Sequence, residues 1–206
     1  MSAPLQRNAT ALCAQLARRP AAIRDALEIL RTEPGSKKFP YSKALLLLAE
    51  KQPRKIYPFF DEIAVLLRHP NNIIQWTAIR LVAALAAVDT KRKLDGLLAD
   101  YLKPIAGPVM ITAANTIIGA ARIAQARPEW QDEIIAALLR VTRARYATTE
   151  CRHIAIGHAL TALASLGPAA LARPDVRRFA QRQLQNPRPA TRRKAARLLR
   201  RAHVAT

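Results

Sequence analysis

The feature that most constrains this chain is its punctuation. Stretches with helical apolar spacing are broken by proline at Pro20, Pro34, Pro53, Pro70, Pro104, Pro108, Pro128, Pro168, Pro174, Pro187 and Pro189. Proline is tolerated in the first helical turn and excluded from the interior, so each break marks a helix boundary. Between the breaks the chain reads as pairs: 20–32 with 41–52, 54–68 with 72–88, 91–103 with 108–125, 129–145 with 149–166, and 174–185 with 189–203. A leading helix at 4–18 precedes them, and Pro58 falls in the opening turns after Pro53. The second helix of each pair carries a small-residue landmark, Ala44, Ala78, Ala113, Ala155 and Ala195, at steps of 34, 35, 42 and 40 residues. A period in that range is the mark of a helical array.

Within the pairs the spacing is that of one apolar stripe per helix. Leu94, Leu97, Leu98, Tyr101 and Leu102 fall at i, i+3, i+4, i+7 and i+8, and Val176, Phe179, Ala180, Gln183 and Leu184 repeat the pattern. No β-branched alternating run calls for a strand, so the expected class is all-α. A single pair cannot bury both sides of Met110, Ile117 and Ile118, or of Ile154, Ile156, Leu160 and Leu163. Neighbouring pairs stacked on each side would. Stacking therefore accounts for the weakly charged second helices without a bilayer. The uncharged run 104–121 also contains Gly107, Pro108, Asn115 and Gly119, and lacks the roughly 20 solidly apolar residues of a membrane span.

The best unit runs Phe59-Phe60-Asp61-Glu62-Ile63-Ala64-Val65-Leu66-Leu67-Arg68-His69-Pro70-Asn71-Asn72, then Trp76-Thr77-Ala78-Ile79-Arg80-Leu81-Val82-Ala83-Ala84-Leu85. An apolar helix, a Pro/Asn turn and a second helix with Ala, Arg and Leu resemble a repeat of the HEAT/armadillo-like superfamily. The resemblance covers roughly residues 20–203. It implies a right-handed α-solenoid of about five antiparallel helix pairs in one domain, 1–206. Residues 1–19 would form an N-terminal cap, 20–172 the repeats and 173–206 a basic C-terminal pair. An irregular all-helical bundle is the competing architecture.

Charge points to a partner. The chain holds 34 Lys+Arg against 14 Asp+Glu, a formal net charge of +20. Residues 1–133 contribute +7, whereas residues 134–206 contribute +13 with Glu150 and Asp175 as their only acids. Nucleotide bias in the source genome would enrich Arg and Ala but would not make acids scarce. Such asymmetry suits a polyanion or an acidic protein. Cys13 and Cys151 are too few for a disulfide framework or a Cys-based zinc site, which suits a reducing, cytoplasmic setting. The first apolar stretch is broken by Arg7, Arg18 and Arg19, unlike a secretory leader. Four Arg and no acid in residues 1–24 would also suit a mitochondrial presequence, although a capping helix is the plainer reading.

Two basic surfaces are candidates. On the terminal helix Arg193, Arg197, Arg200 and Arg201 fall within roughly 100° of one another, flanked by Arg192 and Lys194. Ala195, Leu198, Leu199 and Ala202 take the opposite side. A terminal repeat needs a polar outer face, but mixed charges would serve better than like charges at i,i+4. The second surface is the row of turns inside the pairs, with Arg68 and His69, Lys103, Arg143 and Arg145 with Arg152, then Arg188, Arg192 and Arg193. Lined up, these cations could track a phosphate backbone. Cations at helix C-termini also complement the macrodipole, which would by itself explain Arg68, Lys103 and Arg145.

No reaction is written in the residues. Trp76 and Tyr146 could stack on bases but suit packing as well. HEAT-like alkylpurine DNA glycosylases act through a Trp-rich cage and an Asp. Here Trp76 has no carboxylate near it in sequence, and Trp130 with Asp132 and Glu133 opens a first helix, so no catalytic residue is carried over. Cys151 would sit in a first helical turn capped by Thr148 or Thr149, without an identifiable base. His153 and His158, five apart, lie on different faces and make no metal motif. The expectation is a non-enzymatic scaffold without cofactor or metal that engages nucleic acid phosphates. A scaffold for an acidic protein is the alternative, and a glycosylase-like enzyme on the same fold is the third reading. DNA, RNA and oligomeric state stay open.

Overall fold

A computed structural model of the chain describes residues 3–204. The outermost residues of the expected domain, 1–2 and 205–206, lie outside the described residues. The structure is built of helix hairpins that stack within two compact units, Met1–Leu97 and Leu98–Thr206.

The first unit holds α1 (Ala3–Arg18), α2 (Pro20–Thr32), α3 (Phe39–Lys51), α4 (Pro53–Ile56), α5 (Phe60–Val65) and α6 (Asn72–Leu85). Helices α1 and α2 both pack on α3, and α3 packs on α6. Their buried stripes supply the core: Ala9, Cys13 and Leu16 from α1, Ile23, Leu27 and Leu30 from α2, Leu45 and Leu48 from α3. The expected continuous helix over 54–68 is broken. Pro58 cannot donate to a helical ladder, and Tyr57–Phe59 tightens into a 3₁₀ turn between α4 and α5. Asn71 caps α6, its side-chain oxygen accepting from the Ile73 and Ile74 amides at 3.0 and 3.4 Å.

The expected helix over 91–103 shrinks to Leu98–Leu102, and Asp89 is the reason. Its buried carboxylate accepts from the Lys93 and Leu94 amides, each at 2.9 Å, and from the Tyr57 hydroxyl at 2.7 Å. The Tyr57 oxygen in turn accepts from the Lys91 amide at 3.0 Å. The backbone amides of Lys91, Lys93 and Leu94 are thus held by two side chains rather than by a helical ladder, and Arg92 turns the chain with φ of +52°. Leu94 still reaches the core, from a turn rather than a helix.

The second unit holds α7 (Leu98–Leu102), α8 (Met110–Ala126), α9 (Gln131–Leu139), α10 (Thr149–Ser165), α11 (Pro168–Ala172), α12 (Pro174–Gln183) and α13 (Pro189–Val204). The expected 129–145 helix is split, with 3₁₀ turns at Pro128–Trp130 and Arg140–Arg143 on either side of α9. Helix α11 is an addition that the sequence reading did not anticipate. On α12 the expected stripe holds for Val176, Phe179 and Ala180, but Leu184 lies past the helix end and is exposed.

Three second helices form one layer, α8 beside α10 and α10 beside α13. They run parallel. The Thr191 hydroxyl donates to the His153 carbonyl at 2.9 Å near the starts of α10 and α13, and Arg201 donates to the Ala164 carbonyl at 3.2 Å near their ends. Likewise Gln125 of α8 donates to the Ser165 carbonyl at 2.8 Å, end against end. Many side-chain links between neighbouring hairpins in both units join residues 37 to 41 apart, close to the sequence period. The five landmark alanines are each 0% exposed, so the small residue marks where a second helix meets its neighbours.

Removing the Asp89 carboxylate orphans two backbone donors and the Tyr57 hydroxyl. Asp89→Ala is expected to lower the unfolding free energy by about 2–3 kcal/mol, read as a shift in the urea midpoint.

Candidate anion-binding groove

The residues that could act on a ligand converge on the open face of the α8–α10–α13 layer. Ile118, Ala121, Arg122 and Gln125 come from α8, and His158, Thr161, Ala162 and Ser165 from α10. Lys194, Arg197 and Arg201 come from α13, and together they line a groove of about 850 Å³. The lining holds three arginines, one lysine and one histidine, and no carboxylate. Its floor is apolar. Ile118 is 57% exposed there, contrary to the expectation that stacking would bury it. Within the second unit α7, α9, α10 and the adjoining 3₁₀ turns pack on α8, where Ile117, Ala120 and Ala124 are buried, but leave Ile118 uncovered.

Local chemistry sets each cation in place. Arg201 bonds a carbonyl of the last turn of α10, where unpaired carbonyls and the helix dipole favour a cation. Gln125 satisfies the next carbonyl from the α8 side. Lys194 is half-buried against Gly157, and burial together with the nearby Arg188 charge pushes its pKa below the ordinary lysine value. His158 is pushed below the usual imidazole range, chiefly by burial and also by Lys194. Arg197 has no hydrogen-bond or ion-pair partner among the described residues, so its charge is available to a ligand.

Gly157 makes this arrangement possible. A Cβ there would sit 3.0 Å from the Thr191 hydroxyl and 3.6 Å from two atoms of Lys194. Its hydrogen lets α13 come close enough for Thr191 to bond α10 and for Lys194 to reach the groove.

The other expected cations are placed differently. Arg193 and Arg200 are exposed on α13 beside the groove, without ion pairs among the described residues. Arg192 donates to the Asn186 and Pro187 carbonyls at 2.9 and 3.0 Å, closing the turn before α13. Arg188 pairs with Glu150, and Lys103 pairs with Asp100 at 2.5 Å. Arg143 and Arg145 are exposed and Arg152 half-buried, all three without such partners among the described residues. Arg68 is exposed in the first unit.

Within the second unit the turns do align along one edge. The Arg145 amide donates to the Ala106 carbonyl at 3.0 Å, and the Tyr146 hydroxyl to the Ile105 carbonyl at 2.6 Å. The next turn is joined through Asn186, whose amide lies 3.0 Å from His153 Nδ1. This edge lies at the starts of the second helices, whereas the groove lies along their later halves. Tyr146 is a packing residue, its hydroxyl pKa pushed up to about 12 by burial. Thr148 caps α10 as expected, accepting from the Cys151 amide at 3.1 Å.

Sequence reasoning missed Arg122, Ile118 and His158 as groove residues. A signal was present: Ile111, Ile118 and Arg122 fall at i, i+7 and i+11, a stripe on α8 separate from its buried one. Among the described residues no group of three or more His, Cys, Asp or Glu could hold a metal, and no helix is long and apolar enough to cross a membrane.

No family model and no curated protein matches the chain. Solved structures do. A designed armadillo repeat protein is similar over 96% of this chain and 91% of its own, with a TM-score of 0.64 at 14% identity. A crystal structure of an engineered protein is similar over 96% and 89%, with a TM-score of 0.60 at 16% identity. The fold is therefore of the HEAT/armadillo-like helical-repeat kind.

Gly157→Leu should force α13 away from α10 and cost about 1–3 kcal/mol in a thermal or urea melt, with a smaller loss for Gly157→Ala.

Proposed function

We propose that this protein is a non-enzymatic helical-repeat scaffold that binds nucleic acid through its phosphates. The observation that carries the reading is the groove: Arg122, Lys194, Arg197 and Arg201 face one open space with no carboxylate among its lining. Like charges that face one space repel one another, which costs stability unless a ligand neutralises them. Charge of one sign is not needed to cap a repeat array. Arg193 and Arg200 extend the positive surface along α13.

The reading takes residues 1–206 as one scaffold, with 1–19 as its cap and 173–206 as its basic C-terminal pair. The aligned turns bearing Arg143, Arg145 and Arg152 offer a secondary track for a longer strand. Lys103 and Arg188 already spend charge on Asp100 and Glu150, and Arg192 holds its own turn.

Phosphate binding releases counterions, so affinity should fall linearly with salt in log–log form. Four contacts correspond to a slope of about −2.8 for a single strand and about −3.6 for a duplex. A labelled oligonucleotide should bind at about 50 mM salt with a slope in this range. Arg193→Glu with Arg197→Glu should weaken it several-fold while the circular dichroism spectrum stays unchanged. If neither a single strand nor a duplex binds at that salt, the nucleic-acid reading falls. An acidic protein that co-purifies after nuclease treatment would then take its place.

A further inference from the structure

The groove contains one imidazole among its basic side chains. His158 stands on α10 between the two cationic walls, half-buried, among the lining residues of the site. Arg122 faces the same space from α8, and Lys194, Arg197 and Arg201 face it from α13, with Arg188 beyond Lys194. The elements on the other side of α10, which are α9, α11 and the 140–143 turn, contribute no residue to the groove. No carboxylate among the described residues lines it. Every charged neighbour of the imidazole in the groove is therefore positive, and an empty groove disfavours the imidazolium.

We infer that His158 is a ligand-contacting residue of this groove, and that it takes up a proton when a phosphate or other strong anion enters. The proposal rests on the groove being an anion site, the reading given above, but not on the anion being nucleic acid. A bound anion reverses the local field. It sets negative charge against an imidazole that previously faced only cations, so the protonated form gains a charge-assisted hydrogen bond and loses the repulsion. The downward displacement of the free imidazole, caused by burial and by Lys194, fits this balance.

The sign of the linkage follows. Because the anion raises the proton affinity of His158, protons raise the affinity for the anion by the same factor. Binding should be insensitive to pH well above the bound-state pKa. It should tighten as pH falls through that value, and level off below the free-state pKa. An anion that keeps its own charge over this range is needed as probe. Inositol hexasulfate is fully ionised there, compact, and contains no nucleotide. A phosphodiester oligonucleotide also keeps its charge and forms the second arm.

The test is a binding titration of the full chain at fixed ionic strength between pH 7.5 and pH 5.5, with His158→Gln beside wild type. Inositol hexasulfate should bind wild type about 3–10 times more tightly at the lower pH, tenfold corresponding to one unit of pKa change. The variant should lose most of that dependence while still binding at pH 7.5. The Cε1 proton of His158, followed by NMR in wild type, should titrate at higher pH with the probe present than without it. This second readout does not depend on how well the variant folds. An unchanged His158 titration, an undiminished pH dependence in His158→Gln, or no binding of the hexasulfate would each overturn the inference. If the hexasulfate binds with proton uptake and the oligonucleotide does not bind, the groove stands as an anion site and the nucleic-acid reading fails. If the oligonucleotide binds but His158 does not respond, that reading stands and this one fails.

Discussion

The second unit depends on the parallel contact of α8, α10 and α13. A helix with a neighbour on each side must be apolar over most of its circumference, because each flank is desolvated against another helix and its back against the first helices. Helix α10 is the extreme case. Ala155, Ala159, Leu160 and Leu163 are buried, and its polar ends are tied to its neighbours by Thr191, Gln125 and Arg201. Small residues at the contact set the spacing. The landmark alanines keep the helices close, and at Gly157 even a methyl group would press on Thr191. Close spacing in turn brings cations from α8 and α13 onto the two sides of one groove.

The same constraint explains where charge can go. The buried flanks and back of an inner helix exclude it, so cations are left the open front, the helix ends and the turns. At the ends and turns many of them are consumed structurally. Arg192 closes a turn, Arg201 satisfies the end of α10, and Arg188 holds Glu150. On the open front Arg197 has no such structural use. Arg122 and Lys194 stand beside it, and Arg201 carries its charge to the same space.

Much of the fold was legible because it rests on one-dimensional signals. Proline placement marks the helix starts at Pro20, Pro53, Pro174 and Pro189, and the recurring alanine gives the period. The misreadings came from tertiary chemistry that spacing cannot show. Leu94 and Leu97 have helical spacing, but Asp89 captures the amides of Lys93 and Leu94 and unwinds that turn. Pro58 looks harmless near a helix start, yet it divides the helix in two. The site was legible in half. Helix angles on α13 bring out Arg197 and Arg201 with no structure in hand. Arg122 and His158 belong to helices some 75 and 40 residues earlier, and only the parallel stacking of α8 and α10 with α13 places them opposite. Apolar character alone places Ile118 in the core. Its exposure shows that the front of α8 is left uncovered.

The central claim is that a ligand sits in this groove rather than along the turns. Chemical-shift mapping tests it directly, with the isotope-labelled chain titrated with a short single-stranded oligonucleotide at low salt. The account predicts that perturbed signals cluster at Ile118, Arg122, His158, Lys194, Arg197 and Arg201. Perturbations confined to Arg143, Arg145 and Arg152 at the turn edge, or spread evenly over the basic surface, would contradict it.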